Sequence, residues 1–356
     1  MSDAYARAGV DAPGAARAVE ALVGVLRTID PGRPPRSVLP SGHYAAVIEV
    51  APNLGVAVCA DGVGSKVIVA EQTGHFDTVG IDCVAMNVND LVCVGAEPLA
   101  LLDYLAVERA DPEMAEAIGR GLKAGAEAAG VEIPGGELAV LPELLRGHPS
   151  PGRPGVVAFD LVAAAVGTVA LDAMVTGAAC APGDALIGLP SSGIHSNGLT
   201  LARRALLEDG GLELDQRPGE LGGASLADAL LAPTAIYVRA VRDLLGSDVP
   251  VHGLAHVTGD GVLNLLRLGR ELGFEIDAPL PVPALFDLIA HTGEVPPGEM
   301  WRTFNMGCGF VCVVPAGQVE AALELLGRHH PGAARIGAVT ANAGRVSLPS
   351  LGLALP

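Results

Sequence analysis

Apolar runs that end in a glycine-rich turn and lead into a helix recur along the whole chain of 356 residues. "LGVAVCADGVGSK" at 54–66 is one and "ALIGLPSSGIHSNGLTLARRAL" at 185–206 is another. A strand that feeds a helix through a tight turn needs a sheet neighbour for its backbone and a layer to cover it, so the repetition fixes the class as α/β or α+β. A single hydrophobic core rarely grows to this length, and two domains are expected, 1–170 and 171–356.

The pattern predicts an amphipathic helix over 15–29, a helix from Asp82 to Val94 stopped at Gly95, and a helix over 111–129 closing near Gly130. Strands are expected in "LALLDYLAVE" and "VVAFDLVAAAVGTV", a strand and turn in "VEIPGGELAV", and an exposed loop in "GHPSPGRPG". Further on, helices are read from 198, over 234–245 and from Gly261. "GFVCVVP" follows as a strand, "AGQVEAALELLGRH" as a helix and "ARIGAVT" as the final strand. The apolar strands of the first half are expected to be covered on both faces.

With 22 basic against 40 acidic residues the formal charge is -18, which excludes nucleic acid and an acidic membrane surface as partners. A small anion is not excluded, since a local cradle of backbone N–H groups with one lysine binds phosphate whatever the global charge. The N-terminus has no basic stretch followed by an apolar one, and no run reaches the roughly 18 apolar residues of a membrane span. A soluble, cytoplasmic protein is expected. The six cysteines, in apolar surroundings and without paired metal-site spacing, read as buried free thiols.

Four stretches carry chemistry. In "ADGVGSK", Gly62 and Gly64 let the backbone turn tightly between Asp61 and Lys66, a carboxylate for a metal ion and an ammonium for a phosphate. "CVAMNVNDLVCVGA" interrupts an apolar helix with polar groups. Asp82 and Asn89 share a face with Asp90 on its flank, and buried polar groups there must be bonded or hold a ligand; a magnesium site is preferred to an internal network. Glu137, after Gly135 and Gly136, offers a third carboxylate, so Asp61, Asp90 and Glu137 are the candidate metal ligands.

The fourth stretch, "SSGIHSNG", runs from a strand into a helix whose free N–H groups favour an anion. Ser192, Gly193, His195, Ser196 and Asn197 are therefore expected to line the phosphate end of a substrate site. His195 acts there either as a donor or in proton transfer. Thr258 in "AHVTGDGVLNLL" and Arg302, Thr303 and Asn305 in "WRTFNMGCGF" join them, and His195, Lys66 and Asp61 are the candidate catalytic groups.

In this order "YARAGVD", "ADGVGSK", "DTVGIDCVAMNVNDLVCVGAEPLALLDY", "GGE", "PSSGIHSNGLTLAR", "LLAPTAIYV", "AHVTGDGV" and "RTFNMGCG" closely resemble the aminoimidazole ribonucleotide synthetase (phosphoribosylformylglycinamidine cyclo-ligase) family over nearly the whole chain. The resemblance implies a ring closure of formylglycinamidine ribonucleotide in purine biosynthesis that depends on ATP and Mg2+. It also implies a homodimer whose N-terminal domains form a central β-barrel and bind ATP and Mg2+, with an α/β C-terminal domain for the substrate. Two alternatives stand beside it: a related ATP-dependent kinase or synthetase, and a noncatalytic nucleotide-binding paralogue. Ala60 replaces the family's usual threonine, Val140 a carboxylate and Arg7 a lysine.

Overall fold

The computed structural model describes residues 4–149 and 155–356, so the Pro/Gly segment expected at 147–155 lies partly outside the described residues. A short helix α1 (Ala4–Arg7) and an amphipathic α2 (Ala12–Leu26), capped by the Asp11 side chain, precede the first strand. Among the described residues the strands form two sheets. The first contains β1 (Ala46–Ala51), β2 (Leu54–Gly62), β3 (Glu97–Val107), β4 (Glu132–Val140) and β5 (Phe159–Ala170) in the order β1-β2-β5-β3-β4. All its pairs are antiparallel except β3 with β4.

The first sheet carries α3 (Lys66–Thr73), α4 (Asp77–Cys93) and α5 (Pro112–Ala129). The ends of α5 follow from its sequence: the Asp111 carboxylate accepts from Met114 N at 3.1 Å, Pro112 occupies the first turn, and Gly130 closes the helix at φ 74°. Glycines let α4 and α5 touch backbone to backbone. A Cβ on Gly121 would lie 1.8 Å from the Asp77 carbonyl oxygen, and one on Gly80 would lie 2.4 Å from Leu122 N. Gly121→Ala is therefore expected to destabilise the protein by about 1–3 kcal/mol or more in urea denaturation, through forced separation of the two helices.

Within one chain, helices cover only one face of this sheet. β5 alternates, with Phe159, Leu161, Ala163 and Ala165 buried on the helix side while Asp160 and Ala164 are exposed on the other. That other face presents Ile48, Leu54, Leu102 and Tyr104 to solvent, and the sheet is an open one with β1 and β4 as its edges rather than a closed barrel.

The second sheet is built from β6 (Ala185–Pro190), β7 (Gly253–His256), β8 (Gly273–Ile276), β9 (Cys308–Val314), β10 (Ala334–Thr340), β11 (Arg345–Leu348) and β12 (Leu353–Leu355), in the order β12-β11-β8-β10-β6-β9-β7. β6 and β9 are buried along nearly their whole length, as unbroken apolar runs require. Helices α6 (Leu199–Arg203), α7 (Leu226–Leu231) and α8 (Val238–Leu245) follow β6 in the chain. α6 runs on into a π-helical turn over 204–209. The helix expected over 234–245 begins only at Val238, and "ARIGAVT" is followed by two further short strands. All six cysteines are free, with Cys83, Cys93, Cys308 and Cys312 buried. No helix among the described residues is long and apolar enough to cross a membrane.

Candidate functional site

Helix α4 stands between the two sheets, and its polar residues each hold a different piece of chain. Asn87 grips the backbone of Asp61 in β2, accepting from Asp61 N at 3.0 Å and donating to Asp61 O at 3.1 Å. Asn89 does the same to the second half: its Nδ2 donates to Ala235 O at 2.9 Å and its Oδ1 accepts from Tyr237 N at 2.9 Å. Asp90 accepts from His256 Nδ1 at 2.9 Å at the end of β7. The polar interruption of this helix is thus satisfied largely by an internal network, and Asn89 is committed to backbone rather than to a nucleotide.

Lys66 and Asp82 also differ from the sequence reading. Both side chains are 0% exposed, and the ammonium donates to Asp82 Oδ1 at 3.0 Å and to Ala232 O at 2.7 Å, with Asp82 Oδ2 2.8 Å away. Thr234 adds two donors to the same carboxylate, its N at 2.7 Å and its hydroxyl at 2.6 Å. Burial lowers the proton affinity of Lys66 while Asp82 raises it. The reason the pair lies inside is geometric: Asp82 sits one turn into the buried stripe of α4, and Lys66, in the first turn of α3, is the cation within reach.

Asp61, by contrast, stays partly exposed. It lies near the end of β2, and its Oδ1 accepts from Gly62 N at 2.8 Å. Burial raises its pKa above the usual carboxylate range; the Gly62 N–H opposes this, the charge of Asp90 adds to it, and His256 and Arg267 pull it back. Glu137 does not join them. In the register Asp61 and Asp103 both face Ala163 of β5, on the helix side, whereas Glu137 is level with Tyr104 and Val162, on the open side. Gly135 and Gly136 lie within β4 rather than in a turn, and a Cβ on Gly136 would come within 2.2 Å of the Asp103 carboxylate. Among the described residues no three His, Cys, Asp or Glu side chains gather into a metal cage.

The glycine loop of the first half faces "SSGIHSNG" of the second. Ser65 Oγ and Thr200 Oγ1 are 2.9 Å apart, and the position a Cβ would take on Gly64 is 3.9 Å from Ser196 O. Asn197 of the second loop reaches α4, with Nδ2 3.9 Å from Met86 Sδ, and its amide lies beside Gly259. Thr258 N donates to Asn264 Oδ1 at 2.8 Å, which shapes the turn after His256.

Several of the expected substrate contacts are spent on the loop itself. Ser192 Oγ donates to Pro233 O, Asn305 Nδ2 donates to Gly193 O at 2.8 Å, and Thr303 is buried while Arg302 is exposed. His195 turns inward. Its φ of 60° puts a β-carbon residue in the left-handed region, and the ring is 1% exposed. Its Nε2 accepts from Ser192 N at 3.2 Å and Ala235 N at 3.4 Å, so the proton sits on Nδ1, which is buried without a partner. Burial, then the charges of His256 and Lys66, hold its pKa well below the ordinary imidazole value. The expectation of a proton-transferring imidazole at neutral pH does not fit this ring as it stands.

Sequence reasoning missed Asn87, Tyr44 and Asp103. Tyr44, in the loop before β1, donates its hydroxyl to His256 O at 3.0 Å and lies under the Arg267 guanidinium, 4.8 Å from the ring centroid. A carboxylate in the middle of the apolar "LALLDYLAV" was the available signal for Asp103.

Two linked matches define the class of this protein: AIR synthase related protein, N-terminal domain, over residues 42–169, and AIR synthase related protein, C-terminal domain, over 181–348. The chain belongs to the AIR synthase related family. It is 47% identical over 332 residues to a phosphoribosylformylglycinamidine cyclo-ligase of Thermococcus gammatolerans, covering 92% of each chain. It is 49% identical over 312 residues to the enzyme of the same name from Methanothermobacter thermautotrophicus, covering 86% of each. In fold it is similar to hydrogenase maturation protein HypE in complex with ATP, at TM-score 0.60 and 20% identity, covering 91% of this chain and 89% of that one.

Proposed function

We infer that this chain is a phosphoribosylformylglycinamidine cyclo-ligase that closes the imidazole ring of formylglycinamidine ribonucleotide with ATP, releasing aminoimidazole ribonucleotide, ADP and phosphate. The observation that carries the reading is the direct contact of the 61–66 glycine loop with the 190–200 segment, Gly64 beside Ser196 and Ser65 beside Thr200, in a chain 47% identical to a relative of that name. ATP supplies the activation of the formyl oxygen, after which the amidine-side nitrogen attacks that carbon and phosphate leaves.

Asp61 and Asp90 are assigned to Mg2+ at the ATP phosphates. A magnesium ion takes one or two carboxylates, with water and phosphate oxygens completing its shell. A cation there would relieve the repulsion that helps raise Asp61. Lys66, Asp82 and Asn89 are assigned to holding the site together, and residues 171–356 to binding the ribonucleotide. Turnover of formylglycinamidine ribonucleotide with ATP and Mg2+ by the purified protein tests the function; phosphate release only with some other acceptor would overturn it.

The open face of the first sheet is assigned to a second copy of the chain. Ile48, Leu54, Leu102 and Tyr104 lie exposed on this one face, which a symmetric partner would cover. Glu137 belongs on this reading to the interface side. A dimer is expected by light scattering at micromolar concentration, and a monomer there would remove the assignment.

A further inference from the structure

Residues 232–237, between α7 and α8, form an irregular strap whose polar atoms are taken up alternately by two different parts of the protein. From the first half, Lys66 donates to Ala232 O, Asp82 accepts from both N and Oγ1 of Thr234, and Asn89 brackets the next step by binding Ala235 O and Tyr237 N. From the 190–198 loop, Ser192 Oγ donates to Pro233 O and Ala235 N donates to His195 Nε2. Tyr237 in turn donates its hydroxyl to Pro190 O at 2.9 Å. Helix α4 therefore reaches the loop through the strap.

We propose that Thr234 and Ala235 are positioning residues for the ring closure: anchored by Asp82 and Asn89, they hold His195 in the Nδ1–H tautomer and so make its imidazole a hydrogen-bond donor in the site. This deepens the cyclo-ligase reading and rests on it. Two backbone N–H groups aimed at one ring nitrogen leave no room for a proton there. The remaining N–H is a buried donor that the protein itself does not satisfy, a state that costs free energy unless a ligand completes it.

Thr234→Val keeps the volume of the side chain and removes only the hydroxyl bonded to Asp82 and 3.4 Å from Ser196 Oγ; Thr234→Ser keeps the hydroxyl. With histidine labelled by nitrogen-15, the unaltered protein is expected to give the two-bond proton–nitrogen pattern of a fixed Nδ1–H ring for His195. In Thr234→Val this pattern should give way to exchange between tautomers, and kcat should fall by on the order of 10-fold to 10²-fold, with KM for ATP little changed. Thr234→Ser should restore both. Val and Ser variants alike in tautomer and kcat would overturn the proposal, as would an Nε2–H ring in the unaltered protein. Should Thr234→Val fail to fold, Ser192→Ala, which cuts the loop's own bond to the strap, is expected to loosen the same tautomer, and an unmoved His195 signal there refutes the strap. Absent turnover in the unaltered protein would count against the cyclo-ligase reading alone, since the tautomer measurement needs no activity.

Discussion

Lys66→Met is expected to cost about 3–5 kcal/mol of stability, because it strands the Asp82 carboxylate in a site without solvent. The Asp82 side chain is 0% exposed, and with the ammonium gone its charge keeps only the two Thr234 donors. Adding Asp82→Asn to the variant removes the uncompensated charge, so the double variant should recover a large part of the loss. Chemical denaturation of the four members of this cycle measures it. If Lys66 were instead a phosphate ligand, the single substitution would raise KM for ATP while leaving the denaturation midpoint nearly where it was. A midpoint that does not move would return Lys66 to that role.

The sequence made the strand–turn–helix units readable because glycine and proline punctuate them. Helix α5, expected over 111–129, is observed as Pro112–Ala129, since an Asp-Pro start and a Gly stop are local signals. Helix α4 begins five residues earlier than expected, at Asp77, in a stretch where Thr78 and Gly80 weaken the helical pattern. Gly80 is there for α5, not for a turn, and that reason lies in another helix. "VEIPGGELAV" suggested a turn at its glycine pair; instead β4 runs through, and Gly136 is small because Asp103 on β3 stands over it. In both cases the glycine answers a neighbour that local pattern does not contain.

The site was legible as a set of stretches and much less so as a set of roles. Burial of the "NVND" polar groups required partners, and that physical statement holds. Their identity was hidden, since Asn89 finds Tyr237 148 residues further along the chain and Asp82 finds Thr234 after 152. His195 was read as a donor or proton-transfer group lining a substrate site; its left-handed backbone and the cover of Tyr237 turn it inward. The parity of β-strand side chains was the one tool that would have separated Glu137 from Asp61, and it needs the inter-strand register.

Asp61→Asn is expected to abolish most of the turnover, on the order of 10²-fold, while leaving the protein as stable as before or more so. The fold does not need the charge. Asn87 grips only the backbone of Asp61, and an amide oxygen can still accept from Gly62 N. The carboxylate is held at a cost, since burial and the neighbouring Asp90 raise its pKa in the folded protein. An acid whose folded pKa is raised binds its proton more tightly folded than unfolded. Its favourable contribution is therefore complete below the unfolded value of about 3.9 and is lost as pH climbs from there through the folded pKa. At neutral pH the asparagine variant is spared that loss, so its thermal midpoint should match or exceed that of the parent, and the difference should shrink as both are taken down towards pH 4. Mg2+ with ATP should raise the midpoint of the parent by preferential binding to the folded state and should raise that of the variant much less. Turnover near that of the parent at limiting Mg2+, together with an unreduced shift by Mg2+ and ATP, would remove Asp61 from the metal site.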